Sequence, residues 1–263
     1  MLTNKYRLPA KVASLLLLSD LNVFSDQSSF RKYLHVEKFY TEITPCVIDV
    51  SLKHNIPPAA VMAIAGLESG YGSGYVAQIT GNILSLGAFK GDRELPRLYL
   101  PYSKSIRKVI YDTKDISSFK EDDLVWKKRP KSFKRDYRPT PYAGTNQNLE
   151  LLKYDKQLRE EAISHCINDF ATRCIVSSSK VKVFREARKW LDKEVTDKDY
   201  PILFSEEINK KFIDMIGGKK HSFNFRDTWP KKAKLIMNKV GLVKLTKDIY
   251  INKMNFKKAW DNK

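Results

Sequence analysis

From Ile56 to Leu67 every position is apolar, and the residue that ends the run is a carboxylate, Glu68. Pro57 and Pro58 suit a helix start, where a missing N–H costs nothing and the fixed φ is already helical. Val61, Ile64, Ala65 and Glu68 recur at helical spacing, which puts the acid on the same face as apolar side chains. Gly70, Gly72 and Gly74 then stop the helix, because glycine takes the left-handed conformation that a C-terminus often needs. The pattern predicts a short apolar helix closed by a lone acid and a glycine bend.

Elsewhere the pattern is mostly helical. Ser28 to His54 carries a stripe of Phe39, Ile43, Val47 and Val50, with Pro45 expected near a helix start or at a kink. Asn55 either caps the helix that follows or simply turns the chain. Between Phe89 and Tyr142, Pro96, Pro101, Pro130, Pro139 and Pro141 break up long helices. That span reads as an irregular lobe with short strands and a helix near Ser103 to Tyr111. Helical periodicity returns over Asn148 to Phe170 through Leu151, Leu158, Ala162 and Cys166. Ser177 to Ser179 reads as a turn before a helix over Val181 to Leu191. Glu206 to Ile216 reads as an amphipathic helix ended by Gly217 and Gly218. The stretch from Lys231 to Lys263 is rich in lysine but keeps Ile236, Val240, Leu242, Ile249 and Trp260, which is too apolar for a disordered tail.

Charge adds a partner class. With 48 Lys and Arg against 30 Asp and Glu, the 263 residues carry a net charge of +18. Such a chain attracts polyanions generically: nucleic acid, a membrane surface, or an acidic polymer such as peptidoglycan. The densest basic run, Lys127 to Arg135, is flanked by Trp126 and Tyr137. It is either the wall of a groove for an anionic polymer or a solvated loop. No DNA- or RNA-binding motif accompanies the charge, so no specific nucleic-acid partner is expected. Cys46, Cys166 and Cys174 are too few and too scattered for a disulfide framework and read as buried thiols, a Cys166–Cys174 pair being the alternative. The four histidines form no zinc spacing and no P-loop is present, so neither metal nor cofactor is expected. Lys5, Arg7 and Lys11 precede Val12 to Leu18, which is either an amphipathic helix or the core of a weak export signal. Nothing reaches membrane-spanning length.

The position of Glu68 runs against local physics. A carboxylate in a last helical turn faces the negative end of the dipole, at a cost of a few tenths to about 1 kcal/mol. Burial beside Ile64 and Ala65 penalises its charge further. Both effects raise proton affinity, as a general acid at neutral pH requires. The alternative is a solvated glutamate on a helix end.

The residues around it sharpen this. Ala63-Ile64-Ala65-Gly66-Leu67-Glu68-Ser69-Gly70-Tyr71-Gly72 resembles the A-x-x-x-L-E-S-G-W/Y-G signature of the bacterial endo-β-N-acetylglucosaminidase family. These are peptidoglycan hydrolases of the lysozyme-like superfamily. Gly81 to Gly87 falls where that family carries Asn-Asn-Leu-Phe-Gly-Ile, with Gly81 in place of the first Asn, Leu84 of the Phe and Ser85 of the Gly. The resemblance spans about Ile56 to Ala88.

It implies a mainly α fold: a lysozyme-like α lobe with a small irregular or β lobe, followed here by a basic helical C-terminal extension. The corresponding division is an N-terminal segment (1–27), a glucosaminidase domain (28–176) and a C-terminal region (177–263), unless the tail packs on the catalytic body. The implied substrate is the glycan of peptidoglycan, cut at the β-1,4 bond after N-acetylglucosamine, with Glu68 as general acid. A second carboxylate would come from beyond the Asn-Leu-Phe-Gly position. Asp92 and Glu94 are nearest there, Glu94 being the candidate, and the substrate's own N-acetyl group is the substitute. Pro101 to Ile106 loosely resembles the family's Y-S-x-x-x-S/A context, which assigns Tyr102 to a hydrogen bond or to orienting the sugar. Tyr71 and Tyr75 would sit at the cleft mouth, where an aromatic face can carry a sugar ring. Asn82 would brace the acid helix or bind an acetamido group. Plain packing, or for Asn82 a turn, is the competing role of each. A lytic transglycosylase and a non-catalytic cell-wall binder are the alternative functions. The implied location is the bacterial envelope, periplasmic or secreted, with a phage-borne origin as a variant.

Overall fold

A computed structural model of the chain describes residues 28–89, 91–93, 95–96, 98–110, 113–128 and 137–262. The readings of residues 1–27, of Glu94 and of the basic run from 129 to 135 lie outside the described residues. In chain order the helices are α1 (Leu34–Lys53), α2 (Pro58–Ser69), α3 (Tyr75–Thr80), α4 (Thr113–Ser118), α5 (Leu151–Tyr154) and α6 (Lys156–Asp169). There follow α7 (Lys182–Lys198), α8 (Glu206–Ile216), α9 (Trp229–Val240), α10 (Leu242–Tyr250) and α11 (Phe256–Asp261). Three strands, β1 (Tyr99–Ser103), β2 (Lys108–Val109) and β3 (Leu124–Lys128), form one antiparallel sheet with β1 in the middle. The fold is mainly α with a small β element, as the sequence predicts.

The described residues divide into two compact units, one running from Glu68 to Cys166 and the other joining residues 28–67 to those from Ile167 onward. The divisions fall inside α2 and inside α6.

In the second of these units, α1 buries Val36, Phe39, Tyr40, Ile43 and Val47 on one face. Pro45 stands in its middle rather than at its start, where it has no N–H to give to the carbonyl of Thr41. The bounds of α8 match the sequence reading because both ends are chemically marked. The hydroxyl of Ser205 accepts from the Ile208 amide at 3.4 Å, Glu206 and Glu207 sit in the first turn, and Gly217 follows the last. Helix α7 runs to Lys198, well past the Leu191 limit read from its apolar positions. Its extra turns are held by side chains four apart: Glu194 accepts from Trp190 Nε1 at 2.9 Å and from Lys198 Nζ at 2.8 Å.

Arg31 ties the C-terminal tail into this unit, with the Lys257–Glu37 ion pair (3.1 Å) and the Tyr40–Trp260 ring contact beside it. Arg31, only 3% exposed, donates from Nε to the carbonyl of Val240 (2.7 Å) and from Nη2 to that of Gly241 (3.1 Å). Its Nη1 donates to the carbonyls of Ala259 (3.0 Å) and Trp260 (2.6 Å). The guanidinium also lies 5.1 Å from the centre of the Trp260 ring. It thereby supplies a donor to the carbonyls of Val240, Ala259 and Trp260 at the C-terminal ends of α9 and α11, and a second donor to Gly241, which also accepts from the Leu245 N–H at 3.0 Å. Burial pulls Arg31 down to about 10, with Asp248 and Asp261 opposing, which leaves it charged at neutral pH.

The start of α2 is gripped by residues far away in sequence. The amide oxygen of Asn209, fully buried on α8, accepts from the Ala60 N–H at 2.8 Å, while its nitrogen donates to the carbonyls of Leu203 and Ser205. Asn209 thus caps the first turn of α2 from outside the helix. Arg188 adds bonds from Nη1 to the His54 carbonyl (2.7 Å) and from Nη2 to that of Asn55 (3.1 Å). Replacing Asn209 by Ala strands the buried Ala60 amide and the Leu203 carbonyl, while the Ser205 carbonyl keeps the backbone N–H of residue 209, so Asn209→Ala should lose about 2 kcal/mol, read as a lowered urea midpoint.

In the unit from Glu68 to Cys166, the helix read near Ser103 to Tyr111 is absent over the described residues 103–110. Those residues form the β1–β2 hairpin instead, with Tyr102 opposite Val109 and Ser103 opposite Lys108. Asp123 overrides the local helical preference. It accepts from Ser103 Oγ (2.6 Å), the Ser105 N–H (2.9 Å) and Ser105 Oγ (3.1 Å), and Arg107 turns left-handed at φ 53. Ser103's hydroxyl foremost, then the groups of Ser105 and Lys104, hold the Asp123 carboxyl below its ordinary range. The helical stretch read from Asn148 to Phe170 is split at Asp155, whose Oδ1 accepts from the Leu158 N–H at 2.9 Å and starts α6.

Candidate active site around Glu68

Of the 12 residues of α2, Glu68 alone is half-buried and all the others are buried. A helix apolar on every face is expected to be enclosed, so the one carboxylate is the exception that reaches solvent.

The chain then makes three left-handed residues in a row, Gly70 (φ 58), Tyr71 (φ 55) and Gly72 (φ 73). Ser69 ties this bend together: its hydroxyl accepts from Gly72 N–H and its carbonyl from Gly74 N–H, both at 2.8 Å. Ser73 closes the other side by donating from Oγ to the Gly70 carbonyl at 2.7 Å. A left-handed tyrosine costs roughly 1–2 kcal/mol, which burial of its ring offsets. Tyr71 is 7% exposed, and burial pushes its hydroxyl above the ordinary phenol range. Strain of this kind next to an acid is a functional-site signature that sequence spacing does not reveal.

Tyr75 opens α3 and packs with Ile79, Leu98 and Leu100. At 6% exposure it presents little face, and among the described residues its buried hydroxyl has no hydrogen-bond partner. Burial, then the charge of Glu150, raises its pKa. Its ring meets Trp126 at 5.9 Å, and Trp126 in turn stacks on Tyr99 at 6.1 Å and 12°. Tyr99 and Trp126 are half-buried and offer more flat aromatic surface than either tyrosine of the motif. Tyr102, on β1, is half-buried beneath Lys127, whose Nζ lies 4.0 Å from the ring centre.

Asn82 spends its amide on its own loop. Nδ2 donates to the Leu86 carbonyl (3.0 Å), and Oδ1 accepts from the Leu86 N–H (2.9 Å) and from Cys166 Sγ on α6 (3.5 Å). The departures from the family pattern have local explanations. Gly81 has φ 72, and a Cβ there would lie 2.6 Å from the Cβ of Ala162, so the Asn expected at this place has no room. Ser85, standing where the family has glycine, keeps a left-handed φ of 53. Gly81→Asn should therefore destabilise the chain by about 2 kcal/mol or more, measured by thermal melting, and Ala162→Gly should recover part of the loss.

Asp92 closes a turn by accepting from the Phe89 N–H at 2.8 Å. Cys46, Cys166 and Cys174 are free thiols, and burial pushes Cys46 and Cys174 up to about 12. Among the described residues no cluster of His, Cys, Asp or Glu could hold a metal ion, and no helix is long and apolar enough to cross a membrane.

No protein-family model matches the chain, and no curated protein does. One solved structure found similar is the catalytic domain of the autolysin Auto from Listeria monocytogenes. It shows 12% identity over 91% of this chain and 98% of that one, with a TM-score of 0.41. A likeness this slight has no bearing on activity or on the site.

Proposed function

We propose that the protein is a peptidoglycan hydrolase that cleaves the β-1,4 bond after N-acetylglucosamine, with Glu68 as proton donor. The observation that carries this reading is the exposure of a single carboxylate at the end of an otherwise buried helix, directly before a strained, hydrogen-bonded glycine bend. The resemblance of Ala63 to Gly72 to the glucosaminidase signature supports it, and the net charge of +18 favours an acidic polymer as substrate.

Hydrolysis requires a proton on the leaving oxygen while an oxocarbenium-like transition state develops. Glu68 delivers it. Stabilisation of the cation falls to Glu94 or to the substrate's N-acetyl group, because Asp92 and Asp123 are engaged in closing turns. Tyr99 and Trp126 give the sugar a flat apolar platform, Tyr102 orients it, and Tyr71 and Tyr75 shape the bend beneath the acid. Asn82 keeps the following loop in place rather than reaching the ligand.

The test is a zymogram of purified sacculi paired with a sacculus pull-down. Clearing by the wild type with binding but no clearing by Glu68→Gln supports the reading. Binding without clearing by the wild type itself makes the chain a non-catalytic wall binder.

A further inference from the structure

The loop from Gly217 to Thr228 lies in the unit that joins residues 28–67 to those from Ile167 onward and carries none of the residues named in the proposed function. It is firmly built. The Phe223 N–H donates to the Ile216 carbonyl (2.7 Å) and the Gly218 N–H to that of Asn224 (2.8 Å). Ser222 Oγ donates to the carbonyls of Lys219 (2.5 Å) and Asn224 (2.8 Å). The ring of Phe223 anchors the loop, edge-on to Phe170 at 5.7 Å and 5.4 Å from Trp229. Gly217 lies so close to Trp229 that a Cβ would come within 2.1 Å of its ring.

This well-tied loop nonetheless holds Phe225 out at 70% exposure. Lys219, Lys220 and His221 are exposed beside it, Arg226 is half-buried, and Lys231 is exposed in the first turn of α9. Between residues 217 and 234 six Lys and Arg stand against one acid, Asp227. One of the six, Lys234, is taken by Asp214 at 2.7 Å.

An exposed phenylalanine in a loop whose other exposed side chains are mostly cationic suits the boundary of an anionic bilayer. There the ring leaves water while ammonium and guanidinium groups stay among the headgroup phosphates. A soluble polyanion rewards only the charges. We propose that the 217–228 loop docks the protein on an anionic lipid surface, with Phe225 entering the headgroup boundary and Lys219, Lys220, Arg226 and Lys231 pairing with lipid phosphates. The proposal does not depend on Glu68 or on any glycan activity.

The test uses the full chain with four probes: phosphatidylglycerol–phosphatidylcholine vesicles, phosphatidylcholine vesicles, soluble polyglutamate, and purified sacculi. Phe225→Trp, read as a difference from the parent with its four tryptophans, should shift its emission to the blue with the anionic vesicles only. Phe225→Ala should weaken binding to those vesicles about tenfold, and Lys219→Glu with Lys220→Glu about thirtyfold. Phe225 is exposed, so the variants should melt like the parent. Unchanged vesicle binding by Phe225→Ala would overturn the proposal, as would an equal blue shift with polyglutamate. Loss of sacculus binding alone on removing Phe225 would assign the loop to the wall polymer instead.

Discussion

Glu68→Gln should lower the rate of sacculus clearing by about 10²–10⁴-fold, the usual contribution of a positioned general acid, while leaving the melting temperature unchanged or slightly raised. The two halves of that result belong together. Gln has the shape of Glu, so packing at the end of α2 is kept, and removing a negative charge from a helix C-terminus relieves up to about 1 kcal/mol of unfavourable dipole interaction. A rate loss with no loss of stability is the pattern expected of a group kept for its chemistry rather than for its helix. If clearing were unchanged, Glu68 would be no more than a polar residue at a helix end.

Arg31→Ala should cost about 3–5 kcal/mol. Three buried carbonyls, on Val240, Ala259 and Trp260, lose the Arg31 donor together, Gly241 keeps only the Leu245 N–H, and the Trp260 ring loses its cation. Arg31→Lys should be intermediate, because a single ammonium cannot span the ends of both helices as the planar fork does. Urea unfolding checks the size of the effect. Limited proteolysis checks its place, with early cuts expected between residues 229 and 262. A loss under about 1 kcal/mol, with the tail still protected, would mean that apolar packing alone fixes these helices.

What was legible in the sequence was local. The apolar run into Glu68, the glycine bend after it and the two ends of α8 are each announced by neighbouring residues. The packing of the tail was not, because its clasp pairs Arg31 with a carbonyl 209 residues away. The same holds for Asn209, a cap for a helix 149 residues upstream of it. The Tyr99–Trp126 stack required the register of β1 against β3, and the misread hairpin beside it concealed that pairing. The sequence puts Tyr71 and Tyr75 either at the mouth of a cleft or in plain packing around the bend, and both are nearly enclosed. Their spacing shows that the rings sit near the bend, not which way they turn. The substitution of Gly81 for Asn became intelligible only when Ala162 was found against it.

The most direct measurement is mass spectrometry of the fragments released from purified sacculi by the wild type and by Glu68→Gln. The account predicts fragments with reducing N-acetylglucosamine ends from the wild type and none above background from the variant. Anhydro ends would make the enzyme a lytic transglycosylase. Intact glycan after wild-type treatment would contradict the claim that this acid breaks a sugar linkage.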